Sequence, residues 1–289
     1  MREIKYRANI AHKSSVRREV KRKRFTIIAI LILVIAVSYT LALRSPYLFV
    51  RSVLISGNNA VPEISLRARI GDTLSGFYGN LISKKNIIFV PKEEMAASLM
   101  SAYPRLSDAQ VSSSGIFNLS VDVKERSPAY AYCASADAPK GGEDCFVSDE
   151  NGYIFEPYKF SPGTYLVFFD GFSGGGATST KGISTQIIPA ADFRVVTGLR
   201  DGIEKLGIPV YAASFGDDSD VFFWLKDSTG KNSDAKIEMN YKKDPWQTLS
   251  NLNSALLADP LKSKMANSRD KLFYIDVRFG NKVFFKFRD

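Results

Sequence analysis

Residues able to do chemistry are sparse in this 289-residue chain. The one histidine, His12, lies in a basic stretch at the N-terminus, so the remainder has no Ser-His-Asp or Cys-His pair and no histidine-based metal site. No pair of Asp or Glu stands in a recognisable frame for sugar chemistry, and no motif supports a Ser-Lys dyad. The acidic loop Asp217-Asp218-Ser219-Asp220 lacks the glycine and the distal glutamate of an EF-hand loop and reads as solvated. The Gly-rich run GFSGGGATSTKG has no Gly directly before Lys181, and Gly182 stands where a phosphate-binding loop needs a hydroxyl. It reads as an exposed loop. No catalytic residue, metal, cofactor, small-molecule substrate or nucleic acid is expected, and the chain reads as a non-enzyme.

Two cysteines, Cys133 and Cys145, remain. Their meaning depends on the compartment, which the N-terminal region indicates. Residues 25–43, FTIIAILILVIAVSYTLAL, carry no charge. At about 1.5 Å per residue such a helix spans roughly the 30 Å of a bilayer core. The run is longer than a cleaved signal's apolar core and Arg44 follows closely, so an uncleaved anchor is expected.

Residues 1–24 hold ten Lys/Arg against Glu3 and Glu19, so +8 of the chain's net +9 belongs to this tail. By the positive-inside rule residues 1–24 are a cytoplasmic tail, and everything after the helix at 25–43 lies outside the cytoplasm. There a lone cysteine pair at short spacing reads first as a disulfide, with two free buried thiols as the alternative. The segments flank Pro139-Lys140-Gly141-Gly142, which is hairpin-tip chemistry, so a bridge would link neighbouring strands.

Beyond the anchor the pattern is α+β. LFVRSVLIS alternates as a strand, and Gly57-Asn58-Asn59 ends it. A helix is expected over 62–68, then a Gly-containing loop, then a helix starting at Pro91 with Met95, Leu99 and Tyr103 on one face. Strands come next around 109–113 and 117–124. From Ala129 the chain turns β-rich, with strands at 130–133, 145–147, 153–155, 164–169, 210–214, 221–226 and 235–239. Asp192 is expected to cap a helix through Leu206. Asp244-Pro245 should start another, whose apolar face is Trp246, Leu249, Leu252 and Leu256. The last element is a hairpin about Gly280-Asn281.

The order strand, helix, helix, strand, strand, with LFVRSVLISGNNAV at its head and FNLSVDVKERSPAYAY at its end, resembles a POTRA domain. More closely it resembles that of the bacterial cell-division family FtsQ/DivIB. Leu119, Val121, Val123, Glu125, Arg126 and Pro128 fit the family's "I-x-V-x-E-[RK]-x-P" strand. Asp149, Gly152 and Phe155 fit "D-x-x-G-x-x-F", and YIDVRF is similar to its penultimate strand. Departures are a longer middle, 71–90, and Arg105-Leu106 in place of Trp-Val.

The resemblance implies a POTRA domain at 47–127 and an FtsQ-like β domain with a C-terminal β-hairpin at 128–289. It also implies a divisome scaffold at the septum of the inner membrane, coordinating septal wall synthesis with FtsB/FtsL-type single-pass division proteins as partners. Candidate partner-binding residues are Tyr274, Asp276, Arg278 and Phe279 on one strand and Lys282, Phe284, Phe285 and Lys286 on the next. Arg278 and Phe279 occupy the family's contact positions. The last strand is expected at a sheet edge, able to accept one strand from a partner. The alternative is a POTRA-type chaperone or secretion component that binds polypeptide by β-augmentation.

Overall fold

The computed structural model describes residues 2–79, 82–134, 145–158, 165–170 and 181–289, with side chains from residue 21 onward. The expected hairpin tip at Pro139 to Gly142, the Gly-rich stretch through residue 180 and the start of the strand expected at Thr164 lie outside the described residues. The chain divides into two units, Met1–Glu125 and Arg126–Asp289.

The first unit opens with helix α1, Arg2–Leu43. The helix starts well before the apolar run because the tail is rich in Lys and Arg, good helix formers, and has no Gly or Pro to stop it. Within it, Lys21–Leu43 is long and apolar enough to cross a membrane, and only 6% of its most apolar window is buried. A core helix would be covered. This one is compatible with a single-pass membrane protein.

After α1, a three-stranded sheet is ordered β1 (Ser52–Ser56), β5 (Asn118–Glu125), β4 (Leu106–Ser113). β1 lies parallel to β5, and β4 antiparallel to it. Helices α2 (Glu63–Leu74) and α3 (Lys92–Ala102) join this sheet through a core that includes Leu66, Ile70, Met95, Leu99, Leu119 and Val121. The alternation of β5 explains the one-sided packing: Leu119, Val121 and Val123 are buried while Asp122 and Lys124 face water.

The turn after β1 has a covalent reason for its sequence. Gly57 sits at φ +82°, and a Cβ there would lie 1.9 Å from the Val123 carbonyl oxygen. The chain then wraps its amides around Glu125: Asn59, Ala60 and Val61 donate to Oε1 at 2.7–3.0 Å, and Arg105 Nε donates to Oε2 at 3.1 Å. Burial pulls the Glu125 carboxyl up, but these amides and Arg105 outweigh it and bring it down to about 2.

The second unit is built on a ten-stranded mixed sheet, ordered β10-β8-β7-β6-β9-β11-β12-β13-β14-β15. Its strands are β6 (Tyr130–Cys133), β7 (Cys145–Ser148), β8 (Tyr153–Pro157), β9 (Val167–Asp170), β10 (Thr185–Gln186), β11 (Val210–Phe215), β12 (Asp220–Lys226), β13 (Asn232–Asn240), β14 (Leu272–Phe279) and β15 (Lys282–Phe287). The main core joins strand residues such as Phe168, Phe223, Ile237 and Ile275 to α4 (Ala190–Lys205), α5 (Pro245–Leu257) and α6 (Leu261–Ser268). A separate cluster takes the alternate strand residues, including Val167, Phe169, Ala212, Phe222 and Trp224.

Cys133 and Cys145 belong to that cluster, lie directly opposite on β6 and β7, and are joined with an S–S distance of 1.97 Å. Gly152, at φ +79°, leaves room for Phe193, whose ring would lie 2.8 Å from an added Cβ. Asp149 closes the same turn by accepting from the amides of Asn151 and Tyr153.

Several expectations are corrected. The first strand starts at Ser52, because Pro46–Leu48 form a 3-10 turn and Phe49 makes only an isolated bridge to Asn86. The helix expected at 62–68 runs to Leu74, and the next element is a small hairpin, β2 (Phe77–Tyr78) with β3 (Ile82–Ser83), rather than a plain loop. α4 starts at Ala190 after Pro189, so Asp192 lies inside its first turn and pairs with Lys242 at 2.7 Å instead of capping. α5 begins as expected, with the Asp244 carboxylate accepting from Gln247 N at 2.9 Å, but Trp246 is 82% exposed. The inward face centres on Thr248 and Leu252, and at about 100° per residue Trp246 points away from it.

Candidate partner-binding site

β14 and β15 carry all the candidate contact residues. Their hairpin turns on two residues, with Gly280 at φ +63°, and β15 closes the sheet order, leaving its outer side without a strand among the described residues. Along β15 exposure alternates. Val283, Phe285 and Phe287 pack against the main core, while Lys282, Phe284 and Lys286 are exposed. The Phe285 side chain therefore packs on the core, and its backbone is what it offers at the sheet edge.

On the outward side Phe284 and Phe279 meet edge to face, ring centroids 5.6 Å apart, at 49% and 56% exposure. They border an open groove of about 660 Å³ whose other walls include Lys243, Tyr274, Asp276 and Lys282. Lys286 lies over the ring of Phe273, which in turn meets Tyr274 edge to face. The groove thus combines apolar rings, flanking ammonium groups and a strand edge bearing backbone donors and acceptors. Such a surface suits an extended segment with alternating apolar and acidic side chains.

Arg278 has an internal role that its sequence position does not announce. Its guanidinium is held by three carboxylates: Asp220 on β12 at 2.5 Å, Glu238 on β13 at 2.7 Å and Asp276 on its own strand at 2.7 Å. Hydrogen bonding to Asp276 leads in raising its already high pKa, with Asp220 assisting against the opposing effect of burial. Asp276 is spent in the same knot and is only 6% exposed. Both residues thus form a brace that ties β12, β13 and β14 together, with Asp276 also bordering the groove. Lys243 extends the brace by donating to the Arg278 carbonyl, and Asn251 on α5 donates to that of Gly280 at 2.6 Å.

Sequence reasoning misses Asp220, Glu238 and Lys243. Asp220 belongs to the acidic loop that reads as solvated, yet besides holding Arg278 it accepts from Asn240 at 2.9 Å. The available signal is Glu238, a charge between the apolar Ile237 and Met239, which calls for a cation nearby; Lys236, 3.0 Å away, answers part of that need and Arg278 the rest. Lys181, in the Gly-rich segment, is engaged with Asp170 at 3.4 Å and with the Ile187 carbonyl.

The chain matches no protein-family model and no curated protein.

Proposed function

We propose that this chain is a non-enzymatic, single-pass membrane scaffold of the FtsQ/DivIB type. Its tail is cytoplasmic, the POTRA-like part of its first unit beyond α1 and its β-rich second unit are extracytoplasmic, and it acts at the division septum. It holds FtsB/FtsL-type single-pass partners by adding one of their strands to β15. The observation that carries this reading is the open outer side of β15, six residues long, with Phe284 beside Phe279 on the exposed face.

Two other sheet ends, β10 and β4, are poorer acceptors. β10, at the far end of the same sheet, is two residues long. β4, at the end of the first sheet, presents Asp108, Gln110 and Ser112, which offer little apolar area. The bare apolar helix and the +8 tail support the anchor and its orientation.

The test is co-purification of the partner's extracytoplasmic segment with the full chain and with a Phe279→Ala, Phe284→Glu double variant. Both positions are about half exposed, so the fold should survive, as a thermal melt will show. Loss of two apolar anchors and an added negative charge should weaken capture at least about tenfold. Full-strength capture by the folded double variant would place the site elsewhere.

A further inference from the structure

We propose that the end of the first unit nearest the α1 exit is a lipid-docking rim. There Tyr47, Phe77, Ile88 and Ile116 enter the headgroup region of the bilayer that α1 spans, and Lys85 and Arg51 face lipid phosphate. The inference rests on the reading of α1 as a membrane span.

Three segments converge at this end. From Lys21 onward α1 is exposed as far as Tyr39, and of its residues described there only Thr40 and Leu43 are covered, within one turn of the end of the apolar run. The covering chain is held firmly. Buried Asn86 donates Nδ2–H to the Leu43 carbonyl at 2.8 Å. Val50 N donates to Lys85 O, and Ile87 N to Leu48 O, both at 2.9 Å. β3 also packs against α1, which brings the β2–β3 hairpin to the same level. The third segment is the turn between β4 and β5. The parallel register sets Ser52 opposite Asn118, and Arg51 N donates to Phe117 O at 2.8 Å, so Gly115 to Phe117 lie level with the chain leaving the helix.

If 25–43 fills the hydrocarbon, everything fixed to the last turn of α1 sits at headgroup depth. Among the described residues, eight large hydrophobic side chains of the first unit beyond α1 are exposed, and five of them, Tyr47, Phe77, Tyr78, Ile88 and Ile116, are at this end. Four are more than half exposed: Tyr47 at 75%, Phe77 at 57%, Ile88 at 65% and Ile116 at 77%.

The cations stand among them. The Arg51 guanidinium lies 4.6 Å from the centre of the Phe117 ring, Lys84 lies over Tyr78, and Lys85 is exposed. At the opposite end of β1 the surface is the polar Asn58-Asn59-Glu125 turn. Apolar and aromatic rings beside long basic side chains suit the bilayer interface, where the rings sit at headgroup level and the ammonium groups reach phosphate. The same patch facing water would be an unexplained apolar surface.

The test uses the full chain reconstituted in vesicles of phosphatidylcholine and phosphatidylglycerol, labelled with an environment-sensitive fluorophore at single introduced cysteines and kept unreduced. Phe77→Cys, Ile88→Cys and Ile116→Cys report the rim. Ile64→Cys, equally exposed at 78% but beyond the far end of β1, is the outside control, and Ile35→Cys reports the span. Headgroup-level spin-labelled lipid should quench the three rim positions at least about threefold more than Ile64→Cys. Rim quenching equal to that at Ile64→Cys, with Ile35→Cys quenched by a deep acyl-chain label, overturns the rim alone; this includes the case in which a protein partner covers the patch. An unquenched Ile35→Cys overturns the span reading, and the rim with it.

Discussion

Replacing Arg278 by Met tests whether the brace, rather than a partner contact, is this residue's role. The substitution keeps an unbranched chain of similar length and removes the guanidinium from among Asp220, Glu238 and Asp276. Those side chains are only 17%, 11% and 8% exposed, so water reaches them poorly once the cation is gone. Removing one member of a buried ion pair costs about 3–5 kcal/mol. Arg278 itself is a quarter exposed, which argues for the lower end, about 3 kcal/mol. For a unit of this size that corresponds to a fall in Tm of roughly 6–12 °C.

The pH dependence carries the sharper test. In the variant the three carboxylates keep only Lys236, 3.0 Å from Glu238, among them, and each proton taken up on folding relieves their remaining repulsion. The folded variant then binds more protons than its unfolded chain, so its stability rises as pH falls. The gap in Tm between parent and variant should narrow between about pH 7 and about pH 5. Melts of the detergent-solubilised chain followed by near-ultraviolet circular dichroism will show it. A variant as stable as the parent at neutral pH, or a gap that widens on acidification, refutes the brace. So does a normally folded Arg278→Met variant that has lost only partner capture.

Two further outcomes are expected. Glu125→Gln should destabilise the first unit by about 2 kcal/mol: a fall from 4.5 to about 2 corresponds to roughly 3 kcal/mol, discounted because the site is near the surface. The depressed carboxyl stabilises the parent above pH 4.5, and this is lost as pH falls from 4.5 through about 2, so the Gln variant should lack that acid step in its melts. The orientation is checked by protease added to intact spheroplasts, which should degrade the chain beyond α1 and spare the tail; protection of residues 126–289 would reverse the topology.

The features legible in the sequence are those whose cause is local. A charge-free run, a Pro at the first helical position after Asp244, and the alternation of Val283, Phe285 and Phe287 each act within a few residues, and periodicity reads them directly. Trp246 misleads for a related reason: hydrophobic type suggests burial, but which arc of a helix is covered is decided by what packs on it. The β2–β3 hairpin escapes because strands of two residues are too short to show a period. The brace is out of reach of any window. Asp220 lies 58 residues before Arg278, and only the order β12-β13-β14 brings their strands side by side.

That order also explains why a brace should stand beside an acceptor edge. Adding a strand gains backbone hydrogen bonds only if the edge is already straight and in register, since any ordering left until binding subtracts from affinity. Yet the edge is where a sheet has fewest constraints. β14 pairs with β13 over three residue pairs only, Lys236, Ile237 and Glu238 with Tyr274, Ile275 and Asp276, and the β14–β15 ladder is interrupted twice by register shifts. Backbone pairing alone therefore holds the last two strands loosely. The Arg278 knot ties β14 to the two strands before it. Lys243 and Asn251 fix the turn from the α5 side. Phe285 and Phe287 pin β15 from within the core. That leaves the outer backbone and the Phe279–Phe284 face turned outward, the arrangement a preorganised acceptor strand requires.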